Sequence, residues 1–201
     1  MDAAYKIKEY FDDEMDTAEA TYKNIHQDLI DGCKTGDQKA QFQIYKLYYK
    51  AMFNTSLRIV NDTMEAEDIM QESFLSAFEK INTYSGTVSF GAWLKRIVIN
   101  RSLDALSKKK VALEDIDSFP GIRDDSGDEM LYKEEVELKV EEIKKEIEKL
   151  PDGYRVILSL YLIEGYDHDE IADILGITSS TSRSQLSRAK QKLIGELRKK
   201  M

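Results

Sequence analysis

The sequence predicts an all-α protein in which two small helical domains are joined by a flexible acidic linker. Only two prolines and ten glycines occur in 201 residues, and the helix-favouring residues Leu, Ile, Glu and Lys are abundant. Apolar residues recur at spacings near three and four in two long stretches, and neither stretch alternates as a strand would. Between them, Pro120, Gly121 and Gly127 lie among carboxylates, with too few apolar residues to offset the entropy of ordering.

We divide the chain into four segments. Residues 1–24 are an acidic N-terminal extension, residues 25–110 the first helical domain, residues 111–133 the acidic linker and residues 134–201 the second domain. The single cysteine, Cys33, is expected in the core or at a helix end, and it indicates a reducing, cytoplasmic setting. Because no apolar run approaches the roughly 20 residues that cross a bilayer, we expect no membrane insertion.

Three main helices are predicted in the first domain. Asp37 is the expected N-cap of the first, whose apolar residues are Phe42, Tyr45, Leu47 and Tyr49. The second carries Ala66, Ile69, Met70, Phe74, Ala77, Phe78 and Ile81. An ordered loop, Asn82–Ser89, then precedes a third helix with Phe90, Trp93, Leu94, Ile97, Val98 and Leu106.

The net charge of −9 is unusual for a DNA-binding protein, but the charge is unevenly distributed. Residues 95–110 contain six basic residues and one acid, and residues 178–201 contain seven basic residues and one acid. Residues 111–137 contain ten acids and two basic residues. Two basic segments separated by an acidic one predict two surfaces that face a polyanion.

The second domain contains a predicted helix-turn-helix. Asp167 and Glu170 have the spacing of a capping box, Gly176 is placed to end that helix in a left-handed conformation, and Thr178 can cap the next helix from Ser179. A basic run by itself is equally consistent with a solvated helix face, but the capped helix and glycine turn before it favour DNA binding. The residues expected to face DNA are Ser179, Ser180, Thr181, Arg183, Ser184, Gln185, Ser187, Arg188 and Lys190.

Two further surfaces are predicted in the first domain. Asp68, Gln71 and Glu72 share one helical flank, which suits a basic partner surface, although such a run is more often a solvated face. Residues 89–104 combine aromatic rings with cations, a mixture suited to melted DNA. Trp93, taken singly, is expected in the core.

Together these segments resemble the sigma-70 family, specifically its extracytoplasmic-function (ECF) group, which keeps only regions 2 and 4. Residues 66–74, AEDIMQESF, resemble region 2.2, and residues 89–110, SFGAWLKRIVINRSLDALSKKK, resemble region 2.4 with its preceding loop. Residues 150–193, which include the helix-turn-helix, resemble region 4. The segments occur in the family's order, with a linker where larger sigma factors carry region 3.

The resemblance implies an alternative sigma factor that directs core RNA polymerase to specific promoters and has neither catalysis nor a cofactor of its own. Asp68, Gln71 and Glu72 would dock on the clamp helices of the polymerase β′ subunit, and region 4 would meet the β flap. The helix from Ser179 would read the −35 element of promoter DNA. The residues implied at the −10 element are Asn82, Tyr84, Trp93, Lys95, Arg96, Asn100, Arg101 and Lys108. Family members are commonly held inactive by an anti-sigma protein.

Two departures from the family pattern and two rival interpretations stand beside this resemblance. Ser182 occupies a position where valine is frequent, and Gln185 one where arginine is common. A stand-alone helix-turn-helix regulator would bind duplex DNA tightly without polymerase. An enzyme with a metal site on Glu65, Glu67, Asp68 and Glu72 is disfavoured, because neither histidine lies in a Glu-x-x-His motif and His168 is expected at the surface.

Overall fold

The computed structural model describes residues 25–112 and 140–199, so the predictions for residues 1–24 and for residues 113–133 of the acidic linker lie outside the described residues. Within those ranges the chain is helical and contains no strand, which confirms the all-α class. The first half consists of α1 (Gln27–Lys34), α2 (Gln38–Val60), α3 (Thr63–Glu79), a 3-10 turn (Ile81–Thr83) and α4 (Phe90–Ala112). The second half consists of α5 (Val140–Glu148), α6 (Asp152–Leu158), a π-helical turn (Ser159–Ile163), α7 (His168–Leu175) and α8 (Ser179–Arg198).

Side-chain caps fix the start of the long helices in the first half. The Asp37 carboxylate accepts a hydrogen bond from the Lys39 amide at 2.8 Å, which confirms the predicted N-cap of α2. Asp62 caps α3 in the same way through the Glu65 amide, at 2.9 Å. Between these helices, Asn61 ends α2 in the left-handed conformation with φ 57°. The chain therefore reverses direction between α2 and α3 within two residues.

The core of the first half forms where α2, α3 and α4 pack against one another. Its buried side chains include Ile44, Met52, Met70, Phe74, Phe90, Leu94 and Val98. The inward positions predicted for α3 are confirmed, but Phe42 and Leu47 of α2 are exposed. Both have helical spacing, yet the stripe that α2 buries runs instead through Ala40, Ile44, Met52 and Ile59. Periodicity located this helix but did not fix which face it buries.

Cys33 lies buried near the C-terminal end of α1, where it packs with Ile30 and Ile44 in the same core. Burial, and secondly the nearby Asp37 carboxylate, raises the pKa of its thiol to about 11. The thiolate is the reactive form of cysteine, so this thiol is inert at neutral pH. Its role as a small core residue at a helix end is confirmed.

A second buried cluster joins the two halves of the chain. Ile59, Val60, Ile99 and Leu106 of the first half share it with residues of the second half, among them Ile147, Leu150, Ile157, Leu160, Ile171 and Leu193. Its centre is the C-terminal end of α2, which packs on α6. The two halves therefore lie against each other. No helix in the described parts of the chain is both long and apolar enough to span a membrane.

We predict that Leu94→Ala lowers the free energy of unfolding by roughly 2–5 kcal/mol, because it leaves a cavity among α2, α3 and α4. Leu94 is 0% exposed, whereas Leu75 is 64% exposed. The matched control Leu75→Ala should therefore change stability by no more than about 0.5 kcal/mol. Urea unfolding followed by circular dichroism measures both values. Equal losses for the two variants would contradict this packing.

Candidate nucleic-acid interface

A capping box organises the first helix of the predicted helix-turn-helix. The Asp167 carboxylate accepts hydrogen bonds from the amides of Asp169 and Glu170, both at 2.8 Å. In return, the Glu170 carboxylate accepts a hydrogen bond from the Asp167 amide at 2.9 Å. At the other end of α7, Gly176 has φ 65°, a conformation that is cheap only for glycine. The predicted capping box and the predicted glycine at the helix end are both confirmed. Three residues, 176–178, separate α7 from α8.

The second helix, α8, begins where the sequence predicted. The Thr178 hydroxyl accepts a hydrogen bond from the Thr181 amide at 3.1 Å, and this N-cap starts the helix at Ser179. Leu186, Ala189 and Leu193 are buried against α6 and its neighbours, as expected. The opposite face carries the residues that the sequence assigned to DNA, and Ser180, Arg183, Ser187 and Lys190 are exposed there.

A polar contact seats α8 against the rest of the second half. Ser182 is fully buried, and its hydroxyl lies 2.9 Å from the Nδ1 atom of His168. The His168 ring also stacks on Tyr161, with the ring centroids 5.0 Å apart. The prediction that His168 is a surface residue is therefore wrong, because its ring is half-buried between two helices. Ser182 therefore holds α8 against this ring through a hydrogen bond.

Two residues on the exposed face of α8 are already oriented by neighbours. The Lys190 ammonium lies 5.3 Å from the centroid of the Tyr161 ring, a cation–π contact that restrains this long side chain. The Ser179 hydroxyl donates to the Asp169 carboxylate at the N-terminal end of the helix. Arg183 projects from the next turn of the same face. The first two turns of α8 thus present hydroxyl groups and a cation from a capped, restrained helix.

Helix α4 carries the cations that the sequence assigned to melted DNA. Asn100 and Lys108 are exposed, and Arg96 is partly exposed. Arg101 donates to the Glu72 carboxylate of α3 at 2.8 Å, so one predicted DNA residue contacts one predicted polymerase residue. The remaining cation, Lys95, forms an ion pair with the Glu164 carboxylate of the second half.

The loop before α4 is supported by a cluster of aromatic rings. Tyr84 is only 6% exposed, and its hydroxyl donates to the Val88 carbonyl at 2.6 Å. Its ring centroid lies 5.5 Å from that of Phe90 and 5.4 Å from that of Trp93. Trp93 is half-buried in this cluster, in line with the expectation for that residue alone. Asn82 is exposed at the start of the loop. Tyr84 therefore braces the loop from inside and presents little surface to a base.

Helix α3 presents a separate surface. Asp68, Gln71 and Glu72 are all exposed, and the Gln71 amide lies 3.4 Å from the Glu67 carboxylate. Two large apolar side chains, Met64 and Leu75, lie on the same helical face and are 79% and 64% exposed. We name this surface, formed by Met64, Asp68, Gln71, Glu72 and Leu75, the α3 face. Its mixture of polar groups and exposed apolar side chains is typical of a protein-binding surface.

Sequence reasoning missed a buried carboxylate that joins the two halves. The Glu164 side chain, only 4% exposed, accepts hydrogen bonds from Arg58 of α2 and from the Thr55 hydroxyl, the latter at 3.2 Å. Its other oxygen lies 2.8 Å from the Lys95 ammonium of α4. We call these contacts the Glu164 bridge. Burial by itself raises the pKa of the Glu164 carboxyl, but the hydrogen bonds and charges of Lys95 and Arg58 outweigh it and hold that pKa below its usual value.

A buried arginine reinforces the same junction. Arg155 of α6 donates to the carbonyls of Arg58 and Ile59, at 3.3 and 2.8 Å, in the last turn of α2. It also donates to the Leu150 carbonyl at 3.2 Å. The last carbonyls of a helix have no partner within that helix, so Arg155 satisfies groups that would otherwise be buried unpaired. The local sequence does not identify the partners of Arg155. A cation that lies between apolar residues, as in residues 154–158 (YRVIL), does indicate that the arginine could be buried.

The described residues contain no group of three or more His, Cys, Asp or Glu side chains that could hold a metal ion. Two profiles of the sigma-70 family match the chain. The profile described as Sigma-70 region 2 matches residues 44–111, and the one described as Sigma-70, region 4 matches residues 140–193. The first match includes the α3 face and α4, and the second includes the helix-turn-helix.

Characterised relatives extend this match over most of the chain. The ECF RNA polymerase sigma factor SigW of Bacillus subtilis is 30% identical over 177 residues, which cover 82% of this chain and 92% of SigW. The RNA polymerase sigma-H factor of Pseudomonas aeruginosa is 28% identical over 176 residues, covering 82% and 90%. The chain therefore belongs to the ECF RNA polymerase sigma factors, and its function is that of an alternative sigma factor. Sigma factors are not enzymes.

Solved structures share the fold. The sigma factor RpoE of Bartonella quintana, in complex with the anti-sigma factor NepR, matches with a TM-score of 0.54 and 22% identity. That match covers 78% of this chain and 95% of RpoE. CnrH, in complex with the cytosolic domain of CnrY, matches with a TM-score of 0.52 and 20% identity, covering 86% and 97%.

We predict that Glu164→Gln lowers the free energy of unfolding near neutral pH by about 1.5–3 kcal/mol, because it leaves two cations without a buried counter-charge. The pKa of Glu164 is lowered in the folded protein, so its contribution is fully present above the usual carboxyl value of 4.5. It should be lost as the pH falls through the lowered pKa. Denaturant unfolding of both proteins across acid pH measures the difference. A difference that does not shrink in acid would contradict this role of the ionised carboxylate.

Proposed function

We propose that residues 25–110 bind polymerase and the −10 element, and that residues 134–201 read the −35 element. Residues 111–133 would then connect the two as an acidic linker. The main support is the separation of surfaces within the family fold. The α3 face, the cations of α4 and the exposed face of α8 each have a chemistry suited to a different contact. We further propose that the chain acts in the cytoplasm and has no catalysis of its own.

The α3 face is the proposed contact with the clamp helices of the polymerase β′ subunit. Asp68 and Gln71 offer a carboxylate and an amide to a basic partner, and Met64 and Leu75 offer apolar area on either side of them. Burial of exposed apolar area contributes most of the energy of such a contact, and the polar groups supply its specificity. Glu72 has a second role, because it also orients Arg101. The second domain would dock separately, on the β flap.

Helix α4 and the loop before it are the proposed −10 reader. Lys95, Arg96, Asn100, Arg101 and Lys108 would follow the phosphates of the melted strand, which attract cations regardless of sequence. Extruding a base from the stack costs a few kcal/mol, which contacts in the loop around Asn82 must offset. Tyr84 and Trp93 would act by keeping this loop in shape, since their rings are mainly packed against each other and Phe90.

Helix α8 is the proposed −35 reader. Its N-terminal turn bears Ser179, Ser180 and Thr181, which are small enough to allow close approach to the groove. Arg183 and Gln185 come next, and both can pair with base edges. Ser184, Ser187, Arg188 and Lys190 would contact the backbone and fix the position of the helix.

An anti-sigma protein is a further proposed partner. The structure of RpoE that resembles this fold is a complex with an anti-sigma factor. At 22% identity that likeness shows the fold alone, so the proposal rests on the resemblance of the whole chain to the ECF group. Co-purification with the product of a neighbouring gene, followed by loss of transcription on its addition, would test it.

We predict that the double variant Asp68→Ala/Gln71→Ala weakens binding to core polymerase by about tenfold or more, because two central contacts of the α3 face are lost. Asp28→Ala/Gln43→Ala removes the same two groups from exposed positions on α1 and α2 and serves as the matched control. Fluorescence anisotropy with labelled sigma factor measures both affinities. Unchanged circular dichroism establishes that the fold is intact. Equal affinity of the two variants would count against the clamp contact.

We predict that Arg183→Ala weakens recognition of the −35 element in the holoenzyme by about 1–3 kcal/mol, as expected for loss of a bidentate base contact. Lys199→Ala removes a cation at the C-cap, just beyond the last residue of the same helix, and is the control. Binding to promoter duplexes with substituted −35 positions separates the two possible roles. A loss confined to one base pair assigns base reading, and a uniform loss assigns a phosphate contact. Tight binding without core polymerase would favour the stand-alone regulator.

A further inference from the structure

Two stacked rings, which we call the ring pair, contact α8 at two separate points. The rings are those of Tyr161 and His168, with centroids 5.0 Å apart and planes inclined by 27°. At one point, the Nδ1 atom of His168 lies 2.9 Å from the buried Ser182 hydroxyl. At the other, the Lys190 ammonium lies over the Tyr161 ring, 5.3 Å from its centroid. Because these two residues are about two turns apart on α8, the ring pair spans a large part of the helix.

The backbone holds both rings independently of α8. Tyr161 belongs to the π-helical turn Ser159–Ile163, and turns of this type are rare and frequent at functional sites. His168 is the first residue of α7, directly after the N-cap Asp167 of the capping box. Both side chains are partly buried, and an aromatic side chain has only two χ angles to restrain. The ring pair is therefore a firm support for the side chains of α8 that contact it.

Lys190 lies where the exposed face of α8 meets its buried side. It shares the exposed face with Arg183, but it directly follows the buried Ala189 and lies one turn after the buried Leu186. The centre of a helix face in the major groove is directed at base edges, whereas the margins of that face lie towards the phosphates. The position of Lys190 therefore favours a phosphate contact over a base contact.

The cation–π contact leaves the Lys190 ammonium able to bind an anion. A lysine side chain has many rotamers, so fixing it on DNA costs conformational entropy. The Tyr161 ring covers one side of the ammonium, and Lys190 remains exposed. Since an ammonium has three N–H donors, it can keep the ring contact and donate to a phosphate oxygen as well. Part of the ordering of Lys190 is thus complete before DNA binds.

We propose that Tyr161 is a positioning residue for −35 recognition: its ring, supported by His168, holds the Lys190 ammonium where that cation meets a phosphate of the −35 duplex. This inference rests on the proposed contact of α8 with the −35 element. Because the contact is made with the DNA backbone, it raises affinity at every −35 sequence and leaves base preference unchanged. The role requires no contact between Tyr161 and DNA.

Tyr161→Leu in the holoenzyme tests this role. The quantity measured is the affinity for a fluorescein-labelled duplex that carries the −35 element alone, over a series of KCl concentrations. We expect the affinity to fall about threefold, as for the loss of one exposed cation–π contact. The slope of log affinity against log salt should become shallower, by as much as about 0.9, which is the contribution of one phosphate. Tyr161→Phe keeps the ring face and should restore both values.

A double-variant cycle separates positioning from a general loss of stability. Lys190→Ala should weaken binding and make the salt slope shallower by about 0.9. Adding Tyr161→Leu to Lys190→Ala should have no further effect, since the tyrosine acts only through that cation. Lys192→Ala is the matched control, because it removes an exposed cation from the same end of α8 that pairs with Glu196 instead. It should leave the slope unchanged.

A second pair of variants tests the support that His168 gives to the tyrosine. His168→Phe/Ser182→Ala and His168→Ala/Ser182→Ala both remove the hydrogen bond to α8, but only the first keeps a ring stacked on Tyr161. Removing both partners of a buried hydrogen bond avoids leaving one of them unsatisfied. We expect the first variant to keep the wild-type salt slope and the second to behave like Tyr161→Leu. Equal slopes for the two would overturn the role of the stack.

Circular dichroism checks the fold of each variant. Should Tyr161→Leu lose helical signal, Tyr161→Met replaces the ring with a flexible apolar chain and carries the same expectation. Wild-type affinity and slope for the folded variant, tighter binding, or a further loss in the Lys190→Ala background would each overturn the proposal.

The proposed function fails by a different result. If the wild-type holoenzyme binds the −35 duplex no more tightly than a duplex with a scrambled −35 sequence, α8 does not read this element and the positioning role is overturned with it. If the preference is present but Tyr161→Leu and Lys190→Ala leave the salt slope unchanged, the reading of the −35 element stands and the positioning role alone is overturned.

Discussion

The C-terminal end of α2 is the point on which both halves of the structure depend. Its last turn exposes carbonyl groups that have no helical partner, and its apolar residues Ile59 and Val60 face away from the core of the first half. Arg155 satisfies the carbonyls, and α6, which carries Arg155, packs on the same end of α2. The second half of the chain thus pairs the free carbonyls at this end of α2 and also buries its apolar side chains. Exposing this end of α2 to water would therefore cost free energy, because its apolar side chains would lose their packing and its carbonyls would lose Arg155.

The polar groups at this junction differ in whether their partners can be exchanged. Arg155 is almost wholly buried and pairs mainly with backbone carbonyls, whose positions are fixed by the helices themselves. Glu164 pairs with two side-chain cations that retain more than a quarter of their exposure. Side-chain cations can exchange one anion for another, whereas capped carbonyls have no alternative partner except water. Arg155 therefore stabilises the contact between the two halves. The contribution of Glu164 to that contact depends on whether other anions compete for its two cations.

Local signals in the sequence predicted the helix-turn-helix well. The capping box at Asp167, the left-handed Gly176 and the Thr178 cap each depend on residues within a few positions, so their geometry follows from the local sequence. The Glu164 bridge was not predictable in this way, because 106 residues separate Glu164 from Arg58. Periodicity also left open which face α2 buries, and it gave no indication that His168 pairs with Ser182. Those outcomes are decided by which helices meet, and that is a tertiary property.

The π-helical turn before Glu164 determines what the deletion of a single residue would do to this protein. A π turn contains one more residue than the α-helical turn it replaces, and one residue corresponds to about 100° of rotation around a helix axis. Deleting one residue within Ser159–Ile163 would restore regular winding, yet it would leave the capping box of α7 and all of α8 unaltered in sequence. It would turn Glu164 away from Lys95. The contact between Glu164 and Lys95 thus depends on helix register, and the gain or loss of a single codon would reset it while the sequence of α7 and α8 stays the same.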